Sequence, residues 1–349
     1  MNAINLFYFF GIIPYQYNPV HKCYAAKRAM RNAFQMLWFI IAPTTTMLTL
    51  GVLIRELLFR DVRFWRVVYI LRLFISVITL FVNISDNYYN AKFHMELLNF
   101  CTRSCAKTAS KISQKTMKKI TVLLSFYIYY QANQYTFVVL YNEELDELFF
   151  FVTYYYLEMV LILNMFYIAC LFTAMQELMN NIINMRNRDQ SKLYGQYLRQ
   201  KTLLTKKMSF RLVQLTTNTY VVSSALIFIF VTQLQTFPHG ILEANVMSLG
   251  LAGSVIQLVG LFSVCYEAHQ CANQEQELAR KLSDLRENFA QNNKESPSTT
   301  MTKISVLYRP PAISAYGLFE INLNFFYQMI AAIFTQCVIL FQFQSFEQQ

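Results

Sequence analysis

Arg72 and Glu158 each interrupt a long apolar run as its single charge, and Thr335 and Gln342 are polar residues set into another such run near the end of the chain. An ionisable side chain at membrane depth is expensive and marks a functional site by default, and a guanidinium and a carboxylate at similar depth could neutralise each other. In the last run, Thr335, Ile339, Gln342, Phe343 and Phe346 share one helical face by the 3.6-residue period. An amide in hydrocarbon needs water or a hydrogen-bonding partner, so Gln342 faces either a water-filled path or a neighbouring helix. On the first alternative, Ile339 and Phe343 are apolar enough to close the path by dewetting. One such helix per chain cannot enclose a pore, so that alternative requires several chains.

Catalysis finds little support. The four histidines, His21, His94, His239 and His269, have no spacing suited to a metal or an acyl-transfer site, and no glycine-rich phosphate loop is present. Cys101 and Cys105 stand one helical turn apart, but seven cysteines without paired histidines or an even framework read as reduced helix-face residues. No enzyme activity, cofactor or metal is expected.

The elements that position these residues are membrane spans. The chain has 349 residues, of which 55% are hydrophobic and 14% charged, too apolar for a soluble domain of ordinary composition. Seven runs can cross a bilayer: 34–54, 67–84, 120–141, 148–174, 213–235, 246–266 and 318–341, with Pro43 expected to kink the first. The stretch 4–13 is apolar but lacks the flanks of a cleavable signal.

The formal charge of +10 could suggest nucleic acid, but the basic residues cluster in alternate loops. The amino-terminal segment and the second, fourth and sixth loops carry 25 Lys and Arg, against 4 on the opposite side, all in the first loop. The positive-inside rule places the amino terminus in the cytoplasm and the carboxyl terminus outside. This orientation is the reverse of a G-protein-coupled receptor's, and it leaves the sequon at Asn83 on the cytoplasmic side and unmodified.

The long inner loops keep helical periodicity. Met175, Leu178, Met179, Ile182 and Ile183 form one apolar face, Leu204, Met208, Leu212 and Leu215 a second, and Leu278, Leu282, Leu285 and Phe289 a third. Either the fourth, fifth and sixth spans continue into a cytoplasmic bundle, or these stretches lie on the lipid surface. The polar stretch 292–302 reads as a flexible linker.

Residues Ser314-Ala315-Tyr316-Gly317-Leu318-Phe319-Glu320-Ile321-Asn322, followed by Thr335, five apolar positions and Gln342-Phe343 after an intervening Gln336, resemble the insect gustatory receptor signature, within the insect chemoreceptor ion-channel superfamily. Gln336 stands where the family usually has Tyr, and Phe10-Gly11-Ile12-Ile13-Pro14 resembles its amino-terminal motif. The resemblance implies that the stripe from Thr335 to Phe346 lines the central ion path of a homotetramer or of a heterotetramer with related subunits. It also implies an outward-opening pocket between spans two, three, four and six.

The candidate pocket residues are Trp65, Tyr69, Arg72, Phe137, Tyr141, Tyr154, Tyr155, Glu158 and Gln257, with Gly253 beside the last. Each of these aromatics reads equally well as part of an interfacial belt.

The expected fold is all-α and polytopic, with seven transmembrane helices. Residues 1–33 form a cytoplasmic segment, 34–174 the first four spans, 175–212 a cytoplasmic helical extension, and 213–268 spans five and six. Residues 269–316 form a second extension with the linker, and 317–349 the pore-lining helix and extracellular tail. The expected function is a taste receptor in a chemosensory cell's plasma membrane, a non-selective cation channel opened by a small-molecule tastant. The alternatives are a metabotropic receptor acting through a cytoplasmic partner and a transporter, for which no pair of internal repeats is visible.

Overall fold

The structure is a computed structural model that describes residues 3–26, 44, 51, 64–104, 108–140, 145–185, 187–236, 241–289 and 312–347. Apart from residues 44 and 51, the expected first span (34–54) lies outside these residues, as do its proline, Cys105 and the linker 292–302. Eight helices and two small hairpins are described: α1 (Ala3–Phe9), β1 (Tyr15–Asn18), β2 (Cys23–Ala26), α2 (Phe64–Tyr89), α3 (Ala91–Ser104) and α4 (Thr108–Leu140), then α5 (Leu145–Asn184), α6 (Asn187–Thr236), α7 (Ile241–Phe289), β3 (Ser314–Ala315), β4 (Phe319–Glu320) and α8 (Leu323–Glu347). Both hairpins are antiparallel.

The core is built on α5, α6 and α7, of 40, 50 and 49 residues. At 1.5 Å per residue they run roughly 60–75 Å, twice the thickness of a hydrocarbon layer. Their apolar faces are buried well past the length a bilayer needs: Leu178, Met179 and Ile182 on α5, Leu204 and Met208 on α6, and Leu278 on α7. The side chains of Leu282, Leu285 and Phe289 lie outside the described set. Gly260 lets α7 approach α5 closely, since a Cβ there would sit 2.7 Å from Met165 Sδ.

Among the described residues, four helical stretches are long and apolar enough to cross a membrane: Glu158–Asn184, Lys192–Val231, Leu251–Leu278 and Leu323–Phe343. The expected second span lies on α2, and the third on α4 up to Leu140. The last differs at its start. Residues 318–322 belong to a turn and strand rather than to the helix, because Asn322 caps α8, its Oδ1 accepting from Phe325 N at 2.9 Å. Ile321 N donates to Ile313 O at 2.7 Å and closes the hairpin beneath the cap.

The amino-terminal segment packs into the core. Ile4, Phe7, Ile12, Ile13 and Tyr15 are buried, Tyr88 donates to Gly11 O at 3.1 Å, and Asn99 clamps both backbone groups of Tyr24, at 2.7 and 3.1 Å.

Candidate functional site

Three of the sequence candidates meet in one place. Arg72 on α2 reaches Glu158 on α5, Nη2 to Oε1 at 3.3 Å, with both side chains 5% exposed or less. Gln257 on α7, 1% exposed, donates from Nε2 to the same oxygen at 3.5 Å, and Gly253, also buried, lies one turn before it. Three helices far apart in sequence thus converge on one carboxylate. Glu158 Oε2 and Gln257 Oε1 have no hydrogen-bond partner among the described residues. Both are acceptors, so the cluster can receive further donors.

Trp65 and Tyr69 lie on α2 two turns and one turn before Arg72, Phe137 on α4, and Tyr154 and Tyr155 on α5 just before Glu158. Their side chains fall outside the described set, as does Tyr141 altogether.

The second candidate stripe lies on α8. Thr335, Ile339, Gln342 and Phe343 are all exposed, Ile339 by 39% and Phe343 by 62%. Thr335 turns its hydroxyl back to Ala331 O at 3.0 Å. Phe346 is on the helix, its side chain outside the described set. The opposite face of α8 packs inward: Ile333 and Cys337 are buried, Phe341 meets Phe228, and Gln336 accepts from Tyr220 at 3.4 Å. Only 22% of the apolar window of α8 is covered by its own chain, against 94% for α5. An apolar helix so poorly covered must meet lipid or another chain.

A third cluster escapes sequence reading. Arg211 on α6 is fully buried and donates to Asn83 Oδ1 at 3.1 Å and Asn164 Oδ1 at 3.0 Å, with Asp86 Oδ2 at 3.4 Å. Asn87 joins Asn164 at 2.8 Å, and Lys207 donates to Asn90 at 2.6 Å. Beside them, His94 Nδ1 lies 2.9 Å from the Tyr167 hydroxyl, which lies 2.5 Å from that of Tyr15. Burial, with the nearby positive charges of Arg211 and Lys207, holds His94 well below the usual histidine range. The available signal is Asn83, Asn87 and Asn90 at i, i+4 and i+7, a polar face at the end of α2 that extends to the residue just past it.

Two lysine clasps complete the polar interior: Lys115 and Lys119 on the buried Glu267 at 3.1 and 2.6 Å, and Lys201 on Glu275 at 2.6 Å. Among the described residues no group of His, Cys, Asp and Glu could hold a metal ion.

The family model described as 7tm Chemosensory receptor matches residues 3–347. The chain belongs to this family. Two solved structures are similar to the receptor in fold, both of the insect olfactory receptor OR5 from Machilis hrabei. One, in complex with eugenol, aligns with a TM-score of 0.67 at 12% identity and covers 97% of this chain and 96% of that one. The other aligns with a TM-score of 0.63 at 12% identity, covering 97% and 99%. No curated protein sequence matches significantly. At this identity the likeness is one of fold, and eugenol is a ligand of OR5. The family and the mostly helical fold expected from the sequence are both found.

Proposed function

We propose that the receptor is a gustatory ligand-gated cation channel with a cytoplasmic amino terminus and seven spans, working in the plasma membrane of a chemosensory cell as a homotetramer or as a heterotetramer with related subunits. The observation that carries the reading is the contrast within α8: one face packed on its own chain and the other, from Thr335 to Phe343, uncovered. Four such faces brought together would line a path with two polar positions and two apolar constrictions, wet where Gln342 lies and closable at Ile339 and Phe343.

The tastant would enter at Arg72, Glu158 and Gln257, between α2, α5 and α7, with the candidate aromatics Trp65, Tyr69, Phe137, Tyr141, Tyr154 and Tyr155 around it. The acceptor oxygens of Glu158 and Gln257 favour a ligand that offers hydrogen-bond donors to them. Binding there would bias α7, and through its packing on α8, the position of the stripe.

Recording from excised patches in nucleotide-free solution tests the reading. A channel responds within milliseconds; a receptor acting through a cytoplasmic partner falls silent. Gln342→Ala is expected to change conductance or ion preference while surface delivery is kept, and an unchanged current would overturn the pore assignment. Antibody access to a carboxyl-terminal tag on intact cells tests the orientation, and labelling only after permeabilisation would refute it.

A further inference from the structure

A cavity of about 430 Å³ lies between α6, α7 and the β3–β4 hairpin, away from both sites described above. Its size falls within the range of about 300–1,000 Å³ typical of small-molecule sites, too roomy for a bare inorganic ion. One face of α6 supplies Lys201, Thr202 and Lys206, α7 supplies Glu275, and the hairpin supplies Ser314 and Tyr316. The charges are unbalanced. Glu275 is already held by Lys201 Nζ at 2.6 Å and by the Tyr197 hydroxyl at 2.7 Å, so these two charges cancel within the wall. Lys206 is exposed and pairs with no carboxylate among the described residues. Thr202 already donates to Leu198 O at 2.8 Å, so one uncompensated ammonium and the hydroxyls of Ser314 and Tyr316 remain, which is the chemistry that receives a phosphate group.

The hairpin adds a flat wall. Tyr316 and Gly317 have φ of 54° and 73°, and Leu318 N donates to Ala315 O at 2.9 Å, the geometry of a type I′ turn. Glycine adopts this conformation without strain, whereas tyrosine does not, so the turn holds an aromatic at an unfavourable backbone position. The Tyr316 side chain is 63% exposed. A ring so placed offers a face to a saturated ring carrying the phosphate.

The lining positions on α6 end at Ser209, and the apolar run begins near 213, so the cavity starts roughly 6 Å beyond the hydrocarbon edge. That is the depth of lipid headgroups, on the side of the basic loops. We propose that this cavity binds a phosphorylated polyol headgroup, carried on an inner-leaflet lipid or free in solution. The occupant would bridge α6 to the hairpin that leads through Asn322 into α8; an effect on opening rests on the channel reading, while binding does not.

The test uses the full-length receptor in phosphatidylcholine nanodiscs, with binding read by fluorescence. The probes are inositol trisphosphate, dioctanoyl phosphatidylinositol bisphosphate and inorganic phosphate. Saturable binding of either inositol compound, weakened at least fivefold by Lys206→Gln and by Ser314→Ala, supports the site. Arg199→Gln, which removes a charge from the same helix outside the cavity, is expected to change affinity less than twofold. Binding of the lipid form alone assigns the source to the membrane, and equal binding of both assigns it to the headgroup by itself. No saturable binding of either, or equal losses in Lys206→Gln and Arg199→Gln, overturns the proposal. Intact binding by a receptor that gives no current in patches would refute the channel reading alone.

Discussion

The pair formed by Arg72 and Glu158 predicts an asymmetry between two substitutions that each remove one charge. Both side chains are almost fully buried and 3.3 Å apart, and removing one partner of such a pair typically costs about 3–5 kcal/mol, because the other is left charged in a poor solvent. The two survivors differ in what still reaches them. In Arg72→Met the stranded Glu158 carboxylate keeps the 3.5 Å contact from Gln257, with no cation beside it. In Glu158→Gln the guanidinium stays charged, but the amide oxygen that replaces the carboxylate can still accept from it.

Arg72→Met is therefore expected to cost toward the upper end of about 3–5 kcal/mol and Glu158→Gln toward the lower end. The double variant, with no charge left to strand, should lose at least about 2 kcal/mol less than the sum of the singles. Equilibrium unfolding of the purified receptor in mixed micelles, with each variant compared to the parent, measures all three. Additive losses, or a Glu158→Gln penalty as large as that of Arg72→Met, would refute the reasoning.

Acidification should also weaken the parent receptor through His94. Burial and its cationic neighbours hold this ring well below its ordinary value of 6.5, so below pH 6.5 the unfolded chain takes a proton that the folded one refuses. Stability is complete above pH 6.5 and falls by up to about 1.4 kcal/mol per unit below it; His94→Asn, which retains a group near Nδ1 for Tyr167, should flatten the difference between melting curves at pH 7 and 5.5, and an unchanged difference would count against the assignment. At the hairpin, Gly317→Ala places a Cβ at φ 73° with nothing within 4 Å to clash, so its cost should be the backbone strain alone, about 1 kcal/mol. A thermal midpoint equal to the parent's would show that the turn is not held in this conformation.

Much of this was legible where hydropathy carried the information. The three long helices follow from apolar faces that repeat without interruption, as at Met175, Leu178, Met179 and Ile182, because a helix that must bury such a face continues until the face ends. Arg72 and Glu158 were legible for a related reason: a lone charge in an apolar run has few ways to be satisfied, and a second lone charge of opposite sign is the simplest. The start of α8 was not legible from hydropathy, since Leu318, Phe319 and Ile321 are as apolar as the helix. What separates them is local, a positive-φ turn at Tyr316 and Gly317 and the cap at Asn322.

The network around Arg211 shows where such reasoning stops. Counting basic residues treats Arg211 as a loop charge on the wet side of the sidedness rule, yet it is buried and satisfied by Asn83, Asn164 and Asp86 from two other helices. Neutral amides do this more cheaply than a second full charge would, because each brings a dipole without the desolvation of an ion. Asparagine carries almost no hydropathy signal of its own, and Asn83 taken alone reads as a sequon. Its meaning depends on the neighbours at 87 and 90 and on an arginine 128 residues away. A buried cation held by amides at a junction of three helices also constrains how those helices can move past one another, because sliding any one of them by a helical turn would break at least one of these hydrogen bonds in the protein interior. Motion between the Arg72–Glu158–Gln257 cluster and α8 is therefore expected to pass through α7, which lies outside this junction, while α2, α5 and α6 stay locked together.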